Sequence, residues 1–224
     1  MLKEGPPKIE KLELEPELIK EAEKLYSSKL AYHNFEHALR TKRYAKTIIK
    51  ICLENAIPVN QQLVFDAILF HDAGYIEDSK KIGFNTQEEY SAFLANEPLK
   101  SFNRTEEQIK KVQRSIICTT KDVRPESTEE KIVRAADLTG MAKDYEVFVK
   151  DNLNLKNEAE MLLGEKIPMK KWKKSTQKIV GSYLSENICI QKNDTKKVIE
   201  LFDYKKANEN LDRFLKDDSL EELS

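Results

Sequence analysis

Apolar residues recur every three or four positions along most of the chain, a spacing that places side chains on one face of an α-helix. Between Asn34 and Asn55 the positions with this spacing are apolar or small, whereas most lysines and arginines fall between them. These positions are Ala38, Thr41, Ala45, Ile48, Ile49 and Cys52. Asn34 is a good N-cap residue and Pro58 ends the segment, so we predict a helix that buries this face.

Other predicted helices begin at capping signals. Thr86, Thr105 and Ser127 are each followed three residues later by Glu or Gln, which is the capping-box pattern. Further helices are predicted over residues 16–30, 61–72, 169–184 and 195–215. No segment shows the alternation of apolar and polar residues that is typical of a strand. The predicted fold class is therefore all-α, a bundle of helices.

Length and composition agree with this fold class. The 224 residues are enough for one domain with a sizeable core. The 6 Gly and 7 Pro are too few for a turn-rich β-protein. We divide the chain into a polar lead-in at residues 1–15, a single helical domain at residues 16–215 and an acidic tail at residues 216–224.

Charge and cysteine content exclude several kinds of partner. Lys and Arg number 38 against 39 Asp and Glu, so no global basic field attracts nucleic acid. No segment has the roughly 20 apolar residues of a membrane helix, and the N-terminus lacks the apolar core of a secretory signal. Three isolated cysteines provide neither a disulfide framework nor a thiolate zinc site. We therefore expect a cytoplasmic protein with reduced, mostly buried thiols and no membrane or nucleic-acid partner.

Some basic residues could hold a phosphate. Residues 166–174 contain five lysines around Trp172, the single tryptophan of the chain. This segment could bind phosphate or nucleic acid, but a solvated helix face with one buried tryptophan is the simpler interpretation. Arg114, Lys121 and Arg124 are further candidates for a substrate phosphate, although nothing in the sequence distinguishes them from ordinary surface residues.

The most specific chemistry lies in the histidines, of which the chain has only three. His33 and His37 are four residues apart. His71 is followed at once by Asp72, and Asp137 interrupts an apolar stripe on another predicted helix. Each of these residues alone could be an ordinary hydrogen-bonded core residue. A buried carboxylate is costly, however, unless it is paired or bound to a metal.

Four polar side chains that all interrupt apolar stripes favour one shared site, and they are His37, His71, Asp72 and Asp137. Two imidazoles and two carboxylates suit Mn, Fe, Co, Ni or Zn better than Mg or Ca, which prefer shells made only of oxygen. A water bound to such a metal becomes a usable nucleophile near neutral pH.

These residues resemble a known family. Residues 32–38 read YHNFEHA and match a YHNxxH motif, and the order His37, His71-Asp72, Asp137 is similar to that of the HD superfamily of metal-dependent phosphohydrolases. The YHNxxH motif occurs in cyclic-nucleotide phosphodiesterases and in a group of predicted bacterial HD hydrolases. Residues 87–92, QEEYSA, also resemble the NEExSA segment of that bacterial group. The resemblance covers residues 20–145, approximately.

The resemblance implies a helical HD fold with one or two metals at its centre and with four protein ligands, His37, His71, Asp72 and Asp137. It also implies that His33 is not a ligand but the general acid that protonates the leaving oxygen, a role that suits an imidazole. Binuclear members carry a further histidine where this chain has Tyr75. No histidine is then left for a second ion, so we expect one tightly bound metal per chain and at most a weak second ion at Asp72 and Glu88.

Three more residues are candidates for orienting the ligands or contacting the substrate, namely Asn34, Glu36 and Glu88. Each also has a simpler interpretation. Asn34 can be an N-cap alone, and the two glutamates can be solvated acidic residues.

The expected function is that of a metal-dependent phosphohydrolase that cleaves a phosphoester of a nucleotide or of another small phosphorylated metabolite. Metal-bound water would be the nucleophile and His33 the general acid. The alternative is a non-catalytic HD module that senses a nucleotide and a metal, but a pure binder needs no leaving-group acid. A third possibility is a di-iron oxygenase, against which the few histidines argue. Monoesters and diesters are both open as substrates.

Overall fold

The described part of the chain, residues 15–191 and 197–223 of a computed structural model, is built mainly of α-helices. In chain order these helices are α1 (Pro16–Glu23), α2 (Phe35–Glu54), α3 (Gln61–Phe70), α4 (Gln87–Leu94), α5 (Asn96–Ser101), α6 (Glu106–Ile117), α7 (Thr128–Leu138), α8 (Tyr145–Leu163), α9 (Met169–Leu184) and α10 (Tyr204–Lys216). Short 3-10 helices cover Thr139–Ala142 and Asp218–Leu223. The all-α fold class is confirmed. Apart from Glu15, the predicted lead-in lies outside the described residues.

The capping signals in the sequence mark the actual helix starts. Asn34 Oδ1 accepts a hydrogen bond from the His37 backbone N–H at 3.1 Å, and α2 begins at the residue after Asn34. The same kind of cap begins α4, α6 and α7, at Thr86, Thr105 and Ser127. Each of these side chains satisfies a backbone donor that the first turn of a helix leaves free.

The predicted elements are wrong in two places. Helix α1 ends at Glu23 rather than near residue 30, and the turns that follow let the Tyr26 hydroxyl donate to the Leu69 carbonyl at 3.0 Å. The helix predicted from residue 195 begins only at Tyr204, because β2 (Val198–Glu200) pairs with β1 (Cys189–Gln191) in an antiparallel hairpin. Strands of three residues are too short to show alternation in the sequence. Residues 195 and 196 lie outside the described residues.

Helix α8 was not predicted, although it has 19 residues. Several of its buried positions are polar or charged, and they include Asp151, Asn152, Lys156, Glu158 and Glu160. Hydrophobic periodicity therefore cannot reveal which face of this helix is buried.

Helix α3 lies at the centre of the main core, and every residue from Leu63 to Phe70 is buried. Helices α2, α6 and α7 pack around it. A second, smaller apolar cluster joins α8, α9 and α10, and Leu220 of the acidic C-terminal segment is buried in it. His71 and Asp72, which follow the last residue of α3, therefore lie in the interior between α2 and α7.

None of the helices in residues 15–191 and 197–223 is both long enough and apolar enough to cross a membrane. The three cysteines are free thiols, and Cys52 and Cys118 are buried. Burial raises the pKa of Cys52 to about 11. Burial, together with a hydrogen bond of 3.2 Å to Glu130, raises the pKa of Cys118 to about 12.

We expect iodoacetamide at pH 8 to modify Cys189 alone in the folded protein, because the buried thiols are rarely thiolates and are shielded from the reagent. Peptide mass spectrometry after a short exposure measures this. The unfolded protein in denaturant is the control and should take up three adducts per chain. Modification of Cys118 at the rate of Cys189 would contradict the packing of α6 against α7.

Candidate metal centre

Three packed helices bring the predicted metal ligands together. His37 is in the first turn of α2, His71 and Asp72 follow the last residue of α3, and Asp137 lies near the end of α7. Each of the four side chains offers one ligand atom, and these atoms all lie within 4.8 Å of one another. His37, His71 and Asp72 are buried, and the Asp137 side chain is 22% exposed.

The separations of the four ligand atoms fit a common ion. His71 Nε2 is 3.0 Å from Asp72 Oδ2, and His37 Nε2 is 3.1 Å from Asp137 Oδ1. Three further distances are 3.3 Å between the two Nε2 atoms, 3.3 Å for His37–Asp72 and 3.4 Å for His71–Asp137. Neighbouring ligands about 2.1 Å from one ion are about 3.0–3.4 Å apart. These five separations are therefore compatible with ligands of one metal ion.

The ring of His71 is oriented for ligation. His71 Nδ1 lies 2.8 Å from the Ile68 carbonyl oxygen, which can only accept a hydrogen bond. The proton of the neutral ring therefore sits on Nδ1, and Nε2 presents its lone pair to the centre of the group.

The ring of His37 has a different neighbour. Arg40 Nη2 donates to His37 Nδ1 at 3.2 Å, and the same guanidinium is 3.3 Å from Asp151 Oδ1. An ion at His37 Nε2 requires the ring proton on Nδ1. Arg40 would then lose the contact with the ring and keep its ion pair with Asp151.

The two aspartates supply the negative charge of the site. Asp72 Oδ2 is buried and has no hydrogen-bond partner among the described residues, since its contact with His71 Nε2 is not aligned as a hydrogen bond. Burial alone would raise the pKa of Asp137, but His37 and His71 hold that pKa well below its usual range. An ionised pair of carboxylates, one of them with an unpaired oxygen, is suited to a cation.

His33 lies beside this group without belonging to it. Its ring centroid is 6.2 Å from that of His37, and its Nδ1 forms a short ion pair with Glu158 Oε1. Glu158 Oε2 also accepts the backbone N–H groups of Tyr32 and His33, each at 2.9 Å. Burial lowers the pKa of His33, but the charges of Asp72 and Glu158 outweigh burial, and the pKa is raised. The pair keeps a proton on Nδ1 and holds the ring in one orientation.

Glu158 is the residue that sequence reasoning missed. It is separated from His33 by 125 positions and lies on α8, whose buried face carries several charged residues. Its side chain is only 3% exposed. The sequence offered no motif for it. A buried glutamate on a helix indicates a functional residue only when the helix and its buried face are known, and α8 was not predicted from the sequence.

Tyr75, where the sequence resemblance leads one to look for a further histidine, lies against His33. Its ring stacks on His33, with centroids 3.6 Å apart and an interplanar angle of 17°. Burial, followed by the charge of Asp72, raises the pKa of Tyr75 well above its usual value, so the phenol stays neutral. Within residues 15–191 and 197–223, the four ligands described above are the one cluster of this kind, which agrees with a single ion.

The three remaining candidates have different surroundings. Asn34 caps α2 at His37, and its Nδ2 donates to the Leu30 carbonyl at 3.0 Å, so it fixes the backbone that carries a ligand. Glu36 is exposed on the first turn of α2 and does not line the site. Glu88 lines the same pocket as Asp72, but it does not belong to the group of ligand atoms.

A pocket of about 260 Å³ opens beside the site, and its polar end contains His33, Asp72 and Asp137. The opposite wall belongs to α9, which contributes Trp172. The basic segment around Trp172 is thus a helix with one face on the pocket. Its Lys173 is buried, and the Nζ atom donates to the Asp217 carbonyl at 2.8 Å.

The arginines and the lysine considered for phosphate binding lie elsewhere. Arg114 borders a separate groove between α6 and α7. Lys121 and Arg124 border another, beside Glu186. None of the three lines the pocket at the metal ligands.

In comparisons with known proteins, no family model matches this sequence and no curated protein matches it at a significant level. In structural terms, the protein is an all-α protein with a site of two histidines and two aspartates that could hold a metal ion.

We expect Mn²⁺ or Zn²⁺ at 100 times its dissociation constant to raise the melting temperature of the metal-free protein by roughly 5–10 °C, since only the folded chain assembles the site. His71→Ala should abolish this increase, because it removes a ligand. Asp137→Asn, at a partly exposed position, tests the same point with less risk to folding. Calorimetry and metal analysis measure both effects.

Glu36→Gln is the matched control, because it changes an exposed acid next to His37 and should keep the full increase. An unchanged metal content in His71→Ala would contradict the ligand assignment. Two equally tight ions per wild-type chain would contradict the single site.

Proposed function

We propose that this protein is a metal-dependent phosphohydrolase of the HD type. Its substrate would be a phosphoester of a nucleotide or of another small phosphorylated metabolite. The observation that carries the proposal is the ion pair of His33 with the buried Glu158, because His33 lines the same pocket as Asp72 and Asp137. These two aspartates form the candidate ligand group together with His37 and His71. A proton donor beside a site for a divalent cation is the combination that phosphoester cleavage needs.

The ligand set fits one tightly bound ion of Mn, Fe, Co, Ni or Zn. When bound, such an ion lowers the pKa of a coordinated water and neutralises charge on a phosphoryl oxygen. Asp72 and Asp137 would hold it together with the buried His37 and His71, and the pocket lined by both aspartates would admit the substrate.

His33 would donate the proton to the leaving oxygen. Its Nδ1 is committed to Glu158, so Nε2 is the nitrogen that faces other groups. A proton on Nε2 passes to the oxygen as the phosphorus–oxygen bond breaks, and the ring is left neutral. Glu158 favours the protonated ring before this transfer, because its carboxylate is buried against the imidazole.

The same pair favours an enzyme over a sensor. Burying a carboxylate beside an imidazole costs free energy unless the two charges pair well. A module that only binds a metal and a nucleotide gains nothing from an imidazole held in one protonation state. An oxygenase with two irons would need further ligands at Tyr75, where the ring stacks on His33 instead.

We expect His33→Asn to keep its metal and its fold and to lose about 10²–10⁴-fold in turnover of an alkyl phosphoester. An alkoxide is a strong base and needs the proton. The p-nitrophenolate ion is a weak base, so hydrolysis of p-nitrophenyl phosphate should fall much less. Steady-state kinetics with the Mn²⁺- or Co²⁺-loaded enzyme measure both.

Glu36→Gln is again the control and should leave both rates unchanged. Loss of the metal in His33→Asn would make His33 a ligand. Equal rates for mutant and wild type on both esters would remove His33 from the mechanism, and no hydrolysis of any compound in a broad screen of phosphorylated metabolites would reject the proposed activity.

We expect Glu158→Gln to move the alkaline limb of the kcat/KM profile to lower pH. The general acid must be protonated, so activity falls as pH rises through the pKa of His33. The Glu158 charge raises that pKa, and its removal lowers it. The pH dependence of Mn²⁺ binding by Glu158→Gln, measured by calorimetry against wild type, controls for effects on the metal. An unmoved alkaline limb would separate Glu158 from proton transfer.

A further inference from the structure

The carboxylates that line the pocket are Asp72 and Asp137 of the candidate metal site and Glu88. Among the described residues that line the pocket, none is lysine or arginine. One divalent ion and a protonated His33 are therefore the positive charges available to a ligand, enough for one phosphate group but not for several.

The far wall is apolar and comes from one face of α9. Trp172, Thr176, Ile179 and Tyr183 follow one another at spacings of three or four residues and all line the pocket. Leu155 of α8 continues this surface.

Thr176 and Asn152 of this wall are paired with protein groups, whereas the buried Trp172 indole N–H has no hydrogen-bond partner among the described residues and is a neutral donor. Thr176 Oγ1 donates to Asn152 Oδ1 at 3.2 Å, and Asn152 Nδ2 donates to the Phe148 carbonyl at 3.0 Å. A charged group seated here would lose its water without gaining a counter-ion, which is costly. An uncharged apolar group would gain from the same burial.

We propose that the site takes a compound with a single phosphate or phosphonate group and an uncharged, mainly apolar organic part that packs against α9. The inference rests on the proposed function for the placement of the phosphate at the metal. It narrows the substrate class to singly phosphorylated compounds and excludes polyphosphates and organic parts that carry a further negative charge.

Three phosphonates test this without turnover, because they have no ester bond to break. Benzylphosphonate carries an apolar ring, methylphosphonate lacks it, and 4-carboxybenzylphosphonate adds one negative charge to the ring. With Mn²⁺-loaded wild-type protein, we expect calorimetry to give at least about tenfold tighter binding of benzylphosphonate than of either other compound.

Ile179 offers a charge test, because its side chain is 49% exposed and a longer side chain can be accommodated. We expect Ile179→Lys to bind 4-carboxybenzylphosphonate about three- to tenfold more tightly than wild type does, since it supplies the missing counter-ion. Ile179→Gln, of similar length but neutral, is the matched control and should not show this gain.

The outcomes separate this inference from the proposed activity. If benzylphosphonate is preferred but no phosphoester is hydrolysed, the proposed ligand class is confirmed and the proposed hydrolase activity is rejected. If phosphoesters are hydrolysed but methylphosphonate or the carboxylated ring binds as tightly as benzylphosphonate, the hydrolase holds and the ligand class is wrong. The proposed ligand class is also wrong if none of the three phosphonates binds. It is wrong as well if Ile179→Gln binds 4-carboxybenzylphosphonate as tightly as Ile179→Lys does.

Discussion

Two carboxylates at the meeting point of α2, α3 and α7, the buried Asp72 and the partly buried Asp137, impose the constraint on which the rest of the structure depends. Asp72 follows a helix whose residues are buried on all sides, so its charge is carried into the core. Such a charge is tolerated only beside compensating groups. The packing of α2 and α7 against α3 supplies His37 and Asp137 at one point, and a cation there would join all three helices.

Glu158 connects the group of helices α8, α9 and α10 to the candidate metal site. It lies on α8, whose Phe148 belongs to the smaller apolar cluster with α9 and α10. Its carboxylate reaches the backbone and the ring of His33, just before α2 begins. Docking of α8 is therefore coupled to the orientation of one imidazole. Among the described residues, Tyr75 of the motif-bearing segment stacks on this ring, and Glu158 of α8 supplies its ion pair.

The helix caps and the four candidate ligands could be predicted from the sequence, because each is marked by its near neighbours along the chain. Asn34 and Thr105 cap helices through bonds to residues three positions away, so their signals are readable within one turn. The four ligands interrupt apolar stripes, which marks them individually. The contact between His33 and Glu158 spans 125 positions and has no periodic or motif signal. The β1–β2 hairpin was missed because its strands have three residues each.

In the proposed hydrolase, the chemistry and the choice of substrate would depend on different stretches of the chain. The metal ligands and His33 lie between residues 33 and 137, whereas the far wall of the pocket is built by α8 and α9. Changes at Ile179 or Trp172 can therefore alter the organic part that fits without moving a ligand atom. Because no lysine or arginine lines the described pocket, a phosphate would have one favourable position, at the candidate metal site beside His33. This charge distribution would orient the substrate of the proposed hydrolase.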